Sequence, residues 1–172
     1  MERYFKLHSD ENKALIHYCC NIELAESFYP SLSVFEVALR NALSRELQNM
    51  TGREDWYEVF TSIKDLEELY SYIVQAKKQI SNRSEVTSPS KVIAELTLGF
   101  WVSLLISTPL NNIRRFRNRI FHNESICWNM DKITSIHSSL ILVIGWINAD
   151  LPNWIKEIDR FESVKSKVLK RI

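Results

Sequence analysis

The sequence predicts an all-α protein, a bundle of about six or seven helices in one domain covering residues 1–172. Three observations carry that expectation. The chain holds only three glycines, Gly52, Gly99 and Gly145, too few for the turns of an all-β protein of this size. Its four prolines, Pro30, Pro89, Pro109 and Pro152, each fall at a helix start or in the gap before one. Between them, apolar residues recur at helical rather than alternating spacing.

The first helix is expected over residues 10 to 28. Asp10 can cap it, and Ala14, Tyr18, Ile22 and Ala25 give it an apolar face, with Tyr29 and Pro30 ending it. His8 and His17 carry no partner signal and read as surface or satisfied side chains. The second helix, residues 32 to 50, places Leu32, Phe35, Leu39, Ala42 and Met50 on one face, and Gly52 lies where a C-terminal glycine belongs. Glu36 and Arg40 are one turn apart in it and can pair as a solvated ion pair. REDWYEVFT, from Arg53 to Thr61, reads as a short helix or ordered loop anchored by Trp56, Tyr57 and Phe60. A third long helix follows from Ile63 to Ile80, with Leu66, Leu69, Tyr70, Ile73 and Ala76 as its stripe.

After the polar loop SNRSEVTS, Ser88 and Pro89 form an N-cap and first residue. The helix from there to about Ile106 is apolar nearly all round, which marks a central or interface element. A Ser107-Thr108-Pro109 break separates it from an arginine-rich helix beginning near Asn111. SICWN then connects to a helix over 132 to 149, capped by Asp131, and Pro152 opens a last helix to the C-terminus.

Composition narrows the function. Net charge is +1, so an affinity for nucleic acid must come from a local patch. The three cysteines, Cys19, Cys20 and Cys127, lack zinc-site spacing and fit reduced thiols in a cytoplasmic protein. The start, MERYFKLHSDENK, lacks the apolar core of a signal peptide. The longest apolar stretch, Leu96 to Ile106, is too short to span a bilayer, so no membrane partner is expected. Without a glycine-rich loop, P-loop and dinucleotide-binding chemistry are excluded, and no cofactor or metal is implied.

Chemistry concentrates in NNIRRFRNRIFHNE, Asn111 to Glu124. Arg114, Arg115, Arg117 and Arg119 crowd there, followed by His122. Arginine holds phosphate in a planar fork, and histidine exchanges a proton near neutral pH. At about 100° per residue, His122 shares a polar face with Arg115, Asn118 and Arg119. Arg117 falls instead beside Ile113, Ile120 and Phe121, at the edge of the core. It is either a structural ion pair, with Glu36 or Glu95 as partner, or the lining of a phosphate crevice. Arg117 and His122 meet only if the helix distorts or a second copy supplies the missing half.

RNRIFH, Arg117 to His122, resembles the Arg-x(4–6)-His motif of the HEPN superfamily. The blocks LSVFEVALRNALSREL, GREDWY, KVIAELTLGFWVSLL and RRFRNRIFHNESI, in that order, look like its Abi-like, abortive-infection branch. The resemblance covers Leu32 to Ile126. It implies an all-helical HEPN fold that dimerises with two motifs facing each other, and a metal-independent endoribonuclease of a phage-defence or toxin type. By position, His122 would be the general acid/base, Arg117 would hold the phosphate, and Asn118 would orient phosphate or ribose. Glu36 and Arg40 would support them, and Arg114, Arg115 and Arg119 would track the RNA backbone. An antitoxin of protein or RNA is a further expected partner. Nucleotidyltransferase-paired toxins of a related group have Tyr two residues after the histidine; Glu124 stands there here, which argues against an adenylylating partner. The alternatives are a non-catalytic RNA- or nucleotide-binding module and a protein-interaction module.

Overall fold

The computed structural model of the chain describes residues 2–8, 10–63, 66–105 and 107–172, with the backbone alone for residues 2 and 3. Every regular element among the described residues is helical. In order these are α1 (Glu2–Leu7), α2 (Glu11–Ser27), α3 (Tyr29–Thr51), a 3-10 helix (Trp56–Ser62), α4 (Glu67–Asn82), α5 (Pro89–Glu95), α6 (Leu98–Ser103), α7 (Thr108–Phe121), α8 (Met130–Ile147), α9 (Leu151–Ile155) and α10 (Phe161–Leu169). They group into two compact units. The first comprises the chain up to Phe35 and Arg115–Ile172, the second Glu36–Arg114. No described helix is long and apolar enough to cross a membrane.

Several ends lie where local chemistry puts them. Asp10 caps α2 by accepting the Asn12 N–H at 2.8 Å, and Ser88 caps α5, with Pro89 opening it. Gly52 has φ +68°, the left-handed conformation that a glycine adopts without a Cβ penalty. α8 differs: Asn129, not Asp131, is its cap and accepts the Lys132 N–H at 2.8 Å. Asp131 sits in the first turn instead, where a negative charge still suits the helix dipole. α3 starts at Tyr29 and α7 at Thr108, each earlier than proline suggests, because the first turn needs no N–H from Pro30 or Pro109. α4 starts at Glu67; the expected start, Ile63, closes the 3-10 helix, and Lys64 and Asp65 lie outside the described residues.

In the first unit, α2 corrects the expected face. Ala14, His17, Asn21, Leu24 and Phe28 are buried, while Ile22 is 38% exposed. The buried stripe is partly polar, so hydrophobicity alone selects the wrong side. Phe28, between α2 and α3, is the hub: its ring meets Phe116 of α7 at 4.8 Å and Phe161 of α10 at 4.9 Å. His137 of α8 stacks on Phe161 at 4.2 Å and bonds Asp159 through Nε2 at 2.7 Å. Asp159 also accepts the Phe161 N–H, so it starts α10 and splits the expected single C-terminal helix into α9 and α10. Burial pushes the Asp159 carboxyl up, but the bonds from His137 and from the Phe161 N–H outweigh it and hold the group below its usual range.

α1, which no sequence signal indicated, packs by Tyr4 in an aromatic nest with His17, Tyr18 and Trp128. His8 and His17 are each other's partners, Nε2 to Nδ1 at 2.9 Å. His17 is 8% exposed and its Nε2 has no hydrogen-bond partner. Burial, aided by the charge of His8, lowers the His17 pKa. Below the ordinary value of about 6.5 the unfolded chain binds a proton that the folded chain refuses. This part of the stability is therefore complete above about pH 6.5 and declines as pH falls toward the lower folded value. Thermal melts between about pH 7.5 and 5 are expected to show falling midpoints, with a shallower fall in His17→Phe. Equal slopes would assign the acid sensitivity elsewhere.

In the second unit, Trp56, Phe60, Phe100 and Trp101 form a buried aromatic cluster. The Trp56 Nε1–H donates to Ser44 Oγ at 3.2 Å, and Lys77 pairs with Glu58. The expected continuous helix from Pro89 breaks at Leu96 and Thr97, both extended, and its expected end, Ile106, lies outside the described residues. The Trp101 Nε1–H donates to the Leu96 carbonyl that the break frees, at 3.2 Å. A straight helix apolar all round leaves one face outward; the break lets Val92, Leu96, Leu98, Phe100, Trp101 and Val102 all be buried. Met50, expected on the α3 stripe, is 80% exposed.

Candidate functional site

α7 places the motif. Leu110, Ile113, Phe116 and Ile120 are buried along one side of it, which turns Arg115, Asn118 and His122 outward. The helix is uninterrupted to Phe121 and then closes in a Schellman arrangement. The Glu124 N–H donates to the Arg119 carbonyl at 2.8 Å and the Asn123 N–H to that of Ile120 at 3.0 Å. Asn123 is left-handed, φ +53°, a conformation asparagine tolerates. His122 is thus the last residue before the left-handed turn at Asn123, exposed at the end of the helix.

Arg117 lies half-buried, with its guanidinium carbon 4.1 Å from the centre of the Phe121 ring, a cation–π arrangement. Phe121 is 50% exposed, and its other aromatic neighbour is Tyr29, at 5.4 Å. Arg117 and His122 leave different sides of the helix, which is unbroken from Thr108 to Phe121. Of the two carboxylates weighed as partners for Arg117, Glu95 is held by Arg83 in a two-pronged bond of 2.7 and 3.1 Å. Glu36, half-buried, is also engaged.

The loop after His122 is tied down from three elements. The Arg119 guanidinium donates to Glu124 Oε2 at 3.1 Å and to the Ser125 carbonyl. Tyr4 and Ser125 share a hydroxyl bond of 2.6 Å. The Asn21 Oδ1 accepts the N–H groups of Ile126 at 2.7 Å and Cys127 at 3.2 Å, while its Nδ2 donates to the Glu124 carbonyl at 3.5 Å. Burial raises the Tyr4 pKa to about 12 and pushes the Cys127 thiol up, so both are neutral at physiological pH. Asn21 and Tyr4 were missed from sequence. Asn21 falls in register with Ala14 and Leu24 on α2, and a polar residue on a core stripe was the available signal.

The other expected residues are distributed as follows. Arg115 and Asn118 are exposed, as is His122. Arg119 faces the same side but is committed to the loop. Arg114 belongs to the second unit, and its Nε is buried without a hydrogen-bond partner. Glu36 and Arg40 also belong to the second unit, and the Arg40 Nε donates to Asn41 Oδ1 at 3.4 Å. No cluster of three His, Cys, Asp or Glu placed to hold a metal occurs among the described residues.

Asn21→Ala is expected to leave two buried N–H groups unsatisfied and to cost about 1–3 kcal/mol. Urea unfolding would measure the loss. An unchanged midpoint would mean that the loop holds without Asn21.

Compared with known proteins, the chain matches no family model, no curated protein and no solved structure.

Proposed function

We propose that this chain is a metal-independent endoribonuclease of a phage-defence or toxin type, in the Abi-like branch of the HEPN superfamily, acting in the cytoplasm. The observation that supports it most directly is the outward row of Arg115, Asn118 and His122, beside Arg117 laid on Phe121. In this reading His122 takes the proton from a ribose 2′-OH, or delivers one to the leaving 5′-oxygen. The 2′-oxygen bonds to phosphorus as the P–O5′ bond breaks, giving a 2′,3′-cyclic phosphate and a 5′-OH. Arg117 stabilises charge on the non-bridging oxygens, and Asn118 orients the phosphate or ribose. Arg115 and Arg114 attract the RNA backbone, an affinity that weakens with salt. Arg119 contributes charge while holding the loop behind His122.

Because α7 runs unbroken to Phe121, Arg117 of one copy and His122 of another complete the site in a homodimer. An antitoxin, protein or RNA, would keep such an enzyme silent in its own cell.

The test is incubation of the purified protein with a pool of tRNA and mRNA in EDTA, wild type beside His122→Ala, with the new ends mapped. New 2′,3′-cyclic phosphate ends in the wild type alone are expected. RNA bound but left whole would identify a binding module and sink the nuclease reading.

A further inference from the structure

A groove of about 150 Å³ lies in the first unit at the end of α7, bordered by α2, the start of α3 and Asn123, the residue after His122. We infer that it receives a guanine base of RNA.

Its size is the first argument. It is well below the roughly 300–1,000 Å³ of pockets that enclose drug-sized molecules, so it suits one planar ring system rather than a nucleotide. Its chemistry is the second. No arginine or lysine lines it and Glu26 does, which disfavours a phosphate. Glu26 is exposed and in no ion pair among the described residues, so its carboxylate has two acceptor oxygens to offer. Guanine presents adjacent N1–H and N2–H donors on its Watson–Crick edge. Adenine and cytosine set one amino group beside an acceptor, and uracil sets one N–H between two carbonyls. Only guanine matches a carboxylate with both oxygens.

The walls fit the same occupant. Tyr29, 42% exposed, supplies an aromatic face of the kind on which unpaired RNA bases stack. Asn21 forms part of the wall, and the bonds to Glu124, Ile126 and Cys127 fix its orientation. Asn123, turned by its left-handed backbone, brings a carboxamide that can donate to guanine O6 or N7. The Tyr29 ring meets that of Phe121, over which the Arg117 guanidinium lies, so a base in the groove leads its own phosphate toward the end of α7.

The placement next to the scissile bond rests on the nuclease reading; the binding of the base does not. Two independent measurements separate them. The first titrates full-length wild type and Glu26→Gln with 3′-GMP, 3′-AMP, 3′-CMP and 3′-UMP, followed by NMR. A two-oxygen match is worth roughly 5–150-fold, so 3′-GMP is expected to bind at least about fivefold tighter than the other three. Glu26→Gln should lose that preference while its spectrum remains that of a folded chain. The second maps cleavage ends in the RNA pool, with guanosine expected next to the cut.

Equal binding of the four nucleotides, or a guanine preference intact in Glu26→Gln, overturns the subsite whatever the nuclease assay gives. Tyr29→Ala, with the spectrum of a folded chain, should weaken all four nucleotides alike; no change there overturns the stacking role. Guanine preference with uncut RNA keeps the subsite and rejects the nuclease. Cleavage without guanine preference does the reverse.

Discussion

Replacing His122 by alanine is expected to reduce RNA cleavage by about 10²–10⁴-fold, the usual contribution of a positioned general acid or base. The fold should be unaffected. His122 is exposed at the end of α7, and the bonds that close the helix use backbone groups that alanine also supplies. Its N–H donates to the Asn118 carbonyl at 2.9 Å, and that bond survives the substitution. RNA affinity should change little, because the arginines remain. Single-turnover cleavage and RNA binding, measured on the same preparations, give the two numbers needed. Cleavage within about threefold of wild type would take the proton-transfer role away from His122, since so small a change is under 1 kcal/mol of barrier. Excess imidazole in the buffer should restore part of the loss in His122→Ala, an effect a purely structural role would not produce.

Phe28→Ala is expected to be the most destabilising single change, at about 3–5 kcal/mol. The ring is fully buried between the rings of Phe116, Phe161 and His137. These belong to α7, α10 and α8, so the cavity loosens three helices at once. Small domains have only about 5–15 kcal/mol of stability, so the loss is a large part of the total. Denaturant unfolding should show a much lower midpoint with a similar slope. Phe28→Leu, which refills most of the space, should cost far less. A loss below about 1 kcal/mol for Phe28→Ala would mean that neighbours collapse into the space and that the hub is not where the unit is held.

Much of the secondary structure could be read because the signals are local. A cap needs one side chain and a free N–H two or three residues on, and Asp10 and Ser88 supply them. The Gly52 helix end and the outward row on α7 likewise follow from residues within a few turns. The errors arise where distant residues decide. The break at Leu96 is settled nearer by, because Trp101, five residues on, takes the freed carbonyl, a bond that helical periodicity does not register. Asp159 divides the C-terminal helix because His137, in α8, holds it. The buried face of α2 departs from its apolar pattern because His17 and Asn21 occupy core positions that only their partners, His8 and the 124–127 loop, make tolerable.

The same division runs through the candidate site. The sequence by itself determined the helical class, the spacing of Arg117, Asn118 and His122, and the side of α7 that carries Arg115, Asn118 and His122. All of these depend on the 3.6-residue period and on which side chains shed water. Only the folded chain shows that Tyr4 and Asn21 fasten the loop after His122 and that a groove with Glu26 and Tyr29 opens beside it. The physical reason is the range of the interactions. The hydrogen bond that the Ile126 N–H donates to Asn21 Oδ1 spans 105 residues of chain, and no local pattern encodes its partner.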